Sequence, residues 1–156
     1  MGTTSTEIFD LFLANIKDYS IDAIYTSSGS STLNSYLEPW LLFSIVEFQD
    51  VCDQSLSYTE TSISVGEGYF EQTLSLKNRA ILSLLITKYW LKREIQNILQ
   101  MRNHITDHDF KTFSSANNLH AKRVYYQSVN KELDGILGRY GYEANDWTGW
   151  KSQNFD

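Results

Sequence analysis

Apolar residues recur at three- and four-residue spacing along most of this chain, and the longest such run, Ser75 to Asn103, sets the architecture. Between Ala80 and Leu91 nearly every position is apolar, the pattern of a helix buried on all sides. Beyond Leu91 the apolar set narrows to Ile95, Ile98 and Leu99, with Lys92, Arg93, Glu94 and Gln96 between them, so this end has one wet side. Ser75 suits an N-cap, because its hydroxyl can accept from amides two or three residues on. At ~1.5 Å per residue the helix is on the order of 40 Å long, and the other elements are expected to wrap its middle.

Thr4 and Glu7 have capping-box spacing, and Ile8, Leu11, Phe12, Ile16 and Tyr19 follow, which predicts a first helix from Thr6 to about Tyr19. The stretch YTSSGSST, Tyr25 to Thr32, has no apolar period and is expected to be a flexible connection. In the second predicted helix, Tyr36, Leu37, Trp40, Leu41, Ile45, Phe48 and Cys52 form the stripe, with Pro39 in the first turn and Glu47, Asp50 and Asp53 on the other side. From Gln54 to Gln72 the period falls to two at Leu56 and Tyr58 and at Ile63 and Val65, and Gly66-Glu67-Gly68 is a turn signal: a small hairpin or loop excursion. His104 to Ser115 breaks the pattern. A last helix then starts with Ser115 as N-cap, carries Leu119, Tyr126, Val129, Leu133, Ile136, Leu137 and Tyr140 on one stripe, and is expected to end at Gly138 and Gly141.

The predicted fold class is therefore all-α: a four-helix bundle-like arrangement with one long central helix, a hairpin or loop excursion between helices two and three, and an extended C-terminal tail. Residues 1–142 make the helical domain and 143–156 the tail. Trp147, Trp150 and Phe155 stand in that otherwise polar tail, where rings supply contact area at small entropy cost, so it is expected to dock on a partner; the competing reading folds it back on its own domain.

Composition supports a folded chain: 156 residues suit one domain, and 42% hydrophobic content with a single Pro argues against disorder and for helices. Net charge is −6 but unevenly placed, −10 over residues 1–75 and +4 over 76–156. An acidic half speaks against a free nucleic-acid binder. It fits either two unlike faces suited to head-to-tail association or halves that interleave and cancel. Ala80 to Leu91 is too short to cross a bilayer, and Glu7, Asp10 and Asp18 stand where a secretory leader would be basic and apolar, so the chain is read as soluble and intracellular.

Candidate chemistry is sparse. His104 and His108 are four apart beside Asp107 and Asp109, but no third His or Cys lies near, so a solvated turn is expected rather than a metal site. Glu60, Glu67 and Glu71 could pair as acid and base, yet surface acids of this kind are common. Cys52 lies on an apolar stripe, the usual place of a small buried thiol, and being alone it forms no intramolecular disulfide. No phosphate-binding Gly-rich loop or nucleophile elbow is present. The chain is read as non-enzymatic, with no catalytic residue, metal or cofactor.

The order YLEPWLLFSIVEF, GYFEQTLS, YWLKREI and then DFKTFSSANNLHAKRVYYQSVNKELDGILGRYGY resembles the small head-tail connector, or neck adaptor, proteins of tailed bacteriophages. The resemblance spans roughly residues 36 to 142 and is most specific at DFKTFSSANNL, Asp109 to Leu119. It implies a virion protein, made in the host cytoplasm, that forms a ring with copies of itself, twelve by family analogy. The ring would sit under the portal protein, extend the DNA channel without binding DNA specifically, and meet a downstream neck or tail-terminator component. It also implies a portal-anchoring role for the tail aromatics Trp147, Trp150 and Phe155. Asp109, Phe110 and Phe113 are expected to fix the turn between the two long helices, Asp109 by local hydrogen bonds and the rings by packing. The alternative from another class is a small helical regulator or inhibitor whose tail binds one protein.

Overall fold

The Thr4 hydroxyl accepts from the Glu7 amide and the Glu7 carboxylate accepts from the Thr4 amide, and this closed capping box starts α1, Ser5–Asn15. The structure is a computed structural model that describes residues 2–16, 19–60, 67–104 and 112–144, with side-chain surroundings omitted at 19–31, 101–104, 112–117 and 144. Its elements are α1, α2 (Tyr19–Phe48), β1 (Tyr58–Thr59), β2 (Tyr69–Phe70), α3 (Leu76–His104) and α4 (Thr112–Ala144). The fold is all-α, as the periodicity predicts, with one short ribbon.

The helix boundaries correct several expectations. α1 ends at Asn15, because Ile16 is extended, and α2 has already begun at Tyr19. Tyr25 to Thr32 is helical rather than a flexible connection. Ser and Thr cost a helix only about 0.5 kcal/mol each relative to Ala, which lowers propensity without breaking the chain. Pro39 consequently lies in the interior of α2, not in its first turn. Its ring is exposed while Leu33, Leu37, Leu41 and Phe48 run buried past it, and that continuous stripe offsets the roughly 3 kcal/mol cost of an interior proline.

α3 is the element on which α1, α2 and α4 all pack. The Ser75 hydroxyl caps it by accepting from the Asn78 amide at 3.2 Å. Ile81, Leu82, Leu85, Ile86, Trp90 and Leu91 are buried as expected, whereas Ala80 is exposed and Leu84 and Tyr89 are half-buried. α4 begins at Thr112, ahead of the expected cap Ser115, and runs through Gly138 and Gly141 to Ala144. A Cβ at Gly138 would meet nothing, so this glycine weakens the helix without ending it.

β1 and β2 pair antiparallel, Tyr58 opposite Phe70 and Thr59 opposite Tyr69. The expected Ile63 and Val65 pair and Gly66 lie outside the described residues. Gly68 enters β2 beneath Tyr58, where any Cβ would overlap the Tyr58 hydroxyl, and that hydroxyl donates to Glu38 at 2.9 Å. The N-terminal segment extends the ribbon on its other edge: Phe70 donates to the Thr3 carbonyl at 2.8 Å and Ser5 to the Gly68 carbonyl at 2.9 Å.

Ion pairs partly interleave the two charged halves. Arg79 pairs with Glu7 and Lys88 with Glu47, each joining a base of the second half to an acid of the first.

Candidate docking surface

α2 and α3 lie side by side, and along their shared outer edge Trp40 and Tyr89, which pattern alone assigns to the core, come partly to the surface beside exposed Phe43. Trp40 and Phe43 on α2 and Tyr89 on α3 form a continuous series, with centroids 6.3 Å apart for Trp40 and Phe43 and 5.6 Å for Phe43 and Tyr89. The Arg93 guanidinium lies 5.0 Å from the Tyr36 centroid and 5.6 Å from that of Trp40, and it donates to the Tyr36 hydroxyl at 2.7 Å. Trp40, Phe43, Tyr89, Lys92, Arg93 and Gln96 line an open groove of about 410 Å³. Phe43 is 53% exposed, so the groove has an apolar floor with Lys92 and Arg93 as a basic wall, and Val46, 61% exposed, lies on the same helix outside it.

The floor is held rigid from below. Glu47 accepts from Lys88 at 2.6 Å and from the Tyr89 hydroxyl at 2.7 Å, clamping α2 to α3. Burial pushes the Glu47 carboxyl up, but the bonds from Lys88 and Tyr89 and the Lys88 charge outweigh it and leave it below its usual value. Tyr89 is pushed up to about 12, first by burial and then by Glu47, and so remains a donor. The sequence spacing puts Glu47 on the side of α2 away from the apolar stripe; the structure puts it in the interface with α3.

A second polar cluster ties the ends of α2, α3 and α4. The Tyr140 hydroxyl, on the last turns of α4, donates to the Asp53 carboxylate, accepts from the Asp53 amide at 3.2 Å and lies 2.8 Å from Asn78 Oδ1. Asn78, fully buried, donates to Gln54 Oε1 at 2.7 Å, and Gln54 in turn accepts from the Ser75 amide at 2.8 Å. The Tyr140 ring meets Phe48 edge-on at 5.4 Å, and Lys77, 4.5 Å from the same ring centroid, pairs with Glu143. Hydrogen bonds from Tyr140 and then Asn78 hold the Asp53 carboxyl below its ordinary value. Cys52 has left the helical stripe, since α2 ends at Phe48, and sits half-buried beside this cluster. Burial is the largest influence on its thiol and raises its pKa, which is the reverse of what a nucleophile needs.

The chain matches no protein family, curated protein or solved structure with which it was compared. Its site must therefore be read from its own geometry. Among the sequence candidates, Trp147, Trp150 and Phe155 lie outside the described residues, as do Asp109, Phe110 and His108. Phe113 falls within α4 rather than in the turn before it, and His104 is the last residue of α3. Glu67 accepts from the Thr6 amide at 2.9 Å, a structural bond at the start of α1, while Glu60 and Glu71 are exposed. Among the described residues no group of three or more His, Cys, Asp or Glu could hold a metal, and no helix is long and apolar enough to cross a membrane. Sequence reasoning missed the groove because Trp40 and Tyr89 were assigned to core stripes. The signal that could have found it is Phe43 and Val46, apolar residues three apart on α2 and off its buried stripe.

Proposed function

We propose that this chain is a structural adaptor of a phage neck, a non-enzymatic subunit that assembles into a ring under the portal and joins capsid to tail. The observation that carries the reading is an exposed aromatic and basic groove on a helical framework, in a chain whose order of segments resembles the connector proteins. Such a surface suits assembly: rings supply contact area, and Lys92 and Arg93 supply charge for an acidic partner. Its preorganisation by Glu47, Lys88 and Tyr89 suits a subunit that docks without refolding.

The tail aromatics Trp147, Trp150 and Phe155 serve as the portal anchors in this reading. The Tyr140 cluster supports that role, because it fixes the last turns of α4, from which the tail departs, against α2 and α3. An overall charge of −6 lets DNA pass the channel without adhering. The test is to mix purified protein with the portal ring of the same genome, alongside a variant ending at Glu143. Multiple copies should bind the portal and the truncated variant should not. Binding that survives truncation would remove the anchor, and full-length protein that ignores the portal would remove the adaptor.

A further inference from the structure

The groove has a match elsewhere on the same molecule. Along residues 67–71 exposure alternates strictly: Glu67, Tyr69 and Glu71 face out while Gly68 and Phe70 are buried. The outward face of β2 is thus Tyr69, 40% exposed, with the exposed Glu71 beside it, while the Glu67 carboxylate is taken by the Thr6 amide. The groove presents the complement, with Phe43 on its floor and Lys92 and Arg93 on its wall.

A chain cannot bring its own β2 to its own groove. The ribbon packs against the side of α2 that carries Glu38, through the Tyr58 hydroxyl. Trp40 is two residues further on, about 200° around the helix, and Phe43 lies on that same far side. The two surfaces flank α2 on opposite sides, each held by the fold: β2 by the Thr3 and Ser5 backbone bonds, the groove by the Glu47 clamp.

From this placement we infer that the α2–α3 groove of one copy receives the outward face of β2 of a second copy, with Tyr69 over Phe43 and the Glu71 carboxylate against Lys92 and Arg93. The contact is head-to-tail, so every copy has one groove and one ribbon to offer, and repetition closes a ring or extends a filament. This deepens the adaptor reading and rests on it for the statement that the closed form is a ring.

Groove-to-ribbon contacts predict a complementation that groove-to-groove contacts cannot give, and an assembly larger than two separates the head-to-tail form from a closed two-fold pair. A groove variant, F43S/K92E, and a ribbon variant, Y69S/E71Q, alter exposed side chains, and circular dichroism should show both folded. Native mass spectrometry should find wild-type protein in assemblies larger than two, each variant alone as a monomer, and an equal mixture as a one-to-one pair, because one sound groove and one sound ribbon remain. Benzoylphenylalanine placed at position 43 of an otherwise native chain should cross-link copies through the peptide holding Tyr69. A mixture that shows no pair, a variant that assembles like wild type, or a cross-link that is missing or joins groove to groove would each overturn the proposal. Failure of the adaptor reading would look different: the mixed pair would form while wild-type protein ignored the portal.

Discussion

Removing one oxygen, in Tyr140→Phe, tests how α3, α4 and the end of α2 are tied together. The hydroxyl donates to Asp53, accepts from the Asp53 amide and touches buried Asn78, while the ring, 4% exposed and edge-on to Phe48, would be kept by Phe. A hydrogen bond to a charged group contributes roughly 1.5–3 kcal/mol. Asp53 is exposed, so water replaces part of that, and Asn78 keeps Gln54. The expected loss is about 2 kcal/mol at neutral pH, on the order of 4–8 °C in Tm for a chain of this size. The assay is urea denaturation, in which the midpoint should fall with the slope unchanged. The difference must also depend on pH with a definite sign. Asp53 is held below its ordinary value near 3.8, so its contribution is present above that value and is lost as pH falls through the depressed one. The difference between wild type and variant should therefore shrink in strong acid to the part contributed by the Asp53 amide and Asn78, which do not titrate. An unchanged midpoint at neutral pH, or a difference constant into acid, would refute the assignment of Tyr140 as a charge-assisted tie.

Three further outcomes are expected. Gly138→Ala should raise stability by about 0.5–1 kcal/mol in the same denaturation assay, because the helix runs through this site and a methyl group there meets nothing; destabilisation would mean that α4 ends where the glycines stand. Gly68→Ala should cost about 1–3 kcal/mol by pushing Tyr58 off Glu38, and a neutral effect would show that the ribbon is not packed this way. Cys52 should react several-fold more slowly with iodoacetamide at neutral pH in the folded protein than in urea, since burial raises the thiol pKa; an equal or faster rate would point to an activated thiolate.

The parts of this fold that sequence discloses are those decided within a few residues. The Thr4–Glu7 box, the Ser75 cap and the stripe of α3 follow from local spacing, and each stands where that spacing puts it. Local composition misleads at the Ser- and Thr-rich start of α2, which is helical, and at Gly138 and Gly141, which sit inside α4, whose Tyr140 is anchored by residues nearly ninety positions away. Contacts of that separation leave no periodic trace. The pairing of Thr3 with Phe70 and Gln72, the Glu47 clamp and the Asp53 tie are all of this kind. The groove was hidden for a related reason. A stripe assigns a ring to the inside of a helix but does not say how far a neighbouring helix covers it, and α3 covers only part of Trp40 and leaves Phe43 in the open.

Native mass spectrometry of the purified protein, first alone and then with the portal ring of the same genome, tests the adaptor assignment most directly. The account predicts one portal carrying many copies of this chain. Full-length protein that stays small and leaves the portal unloaded would contradict it, and would direct attention to a helical regulator acting on a single partner.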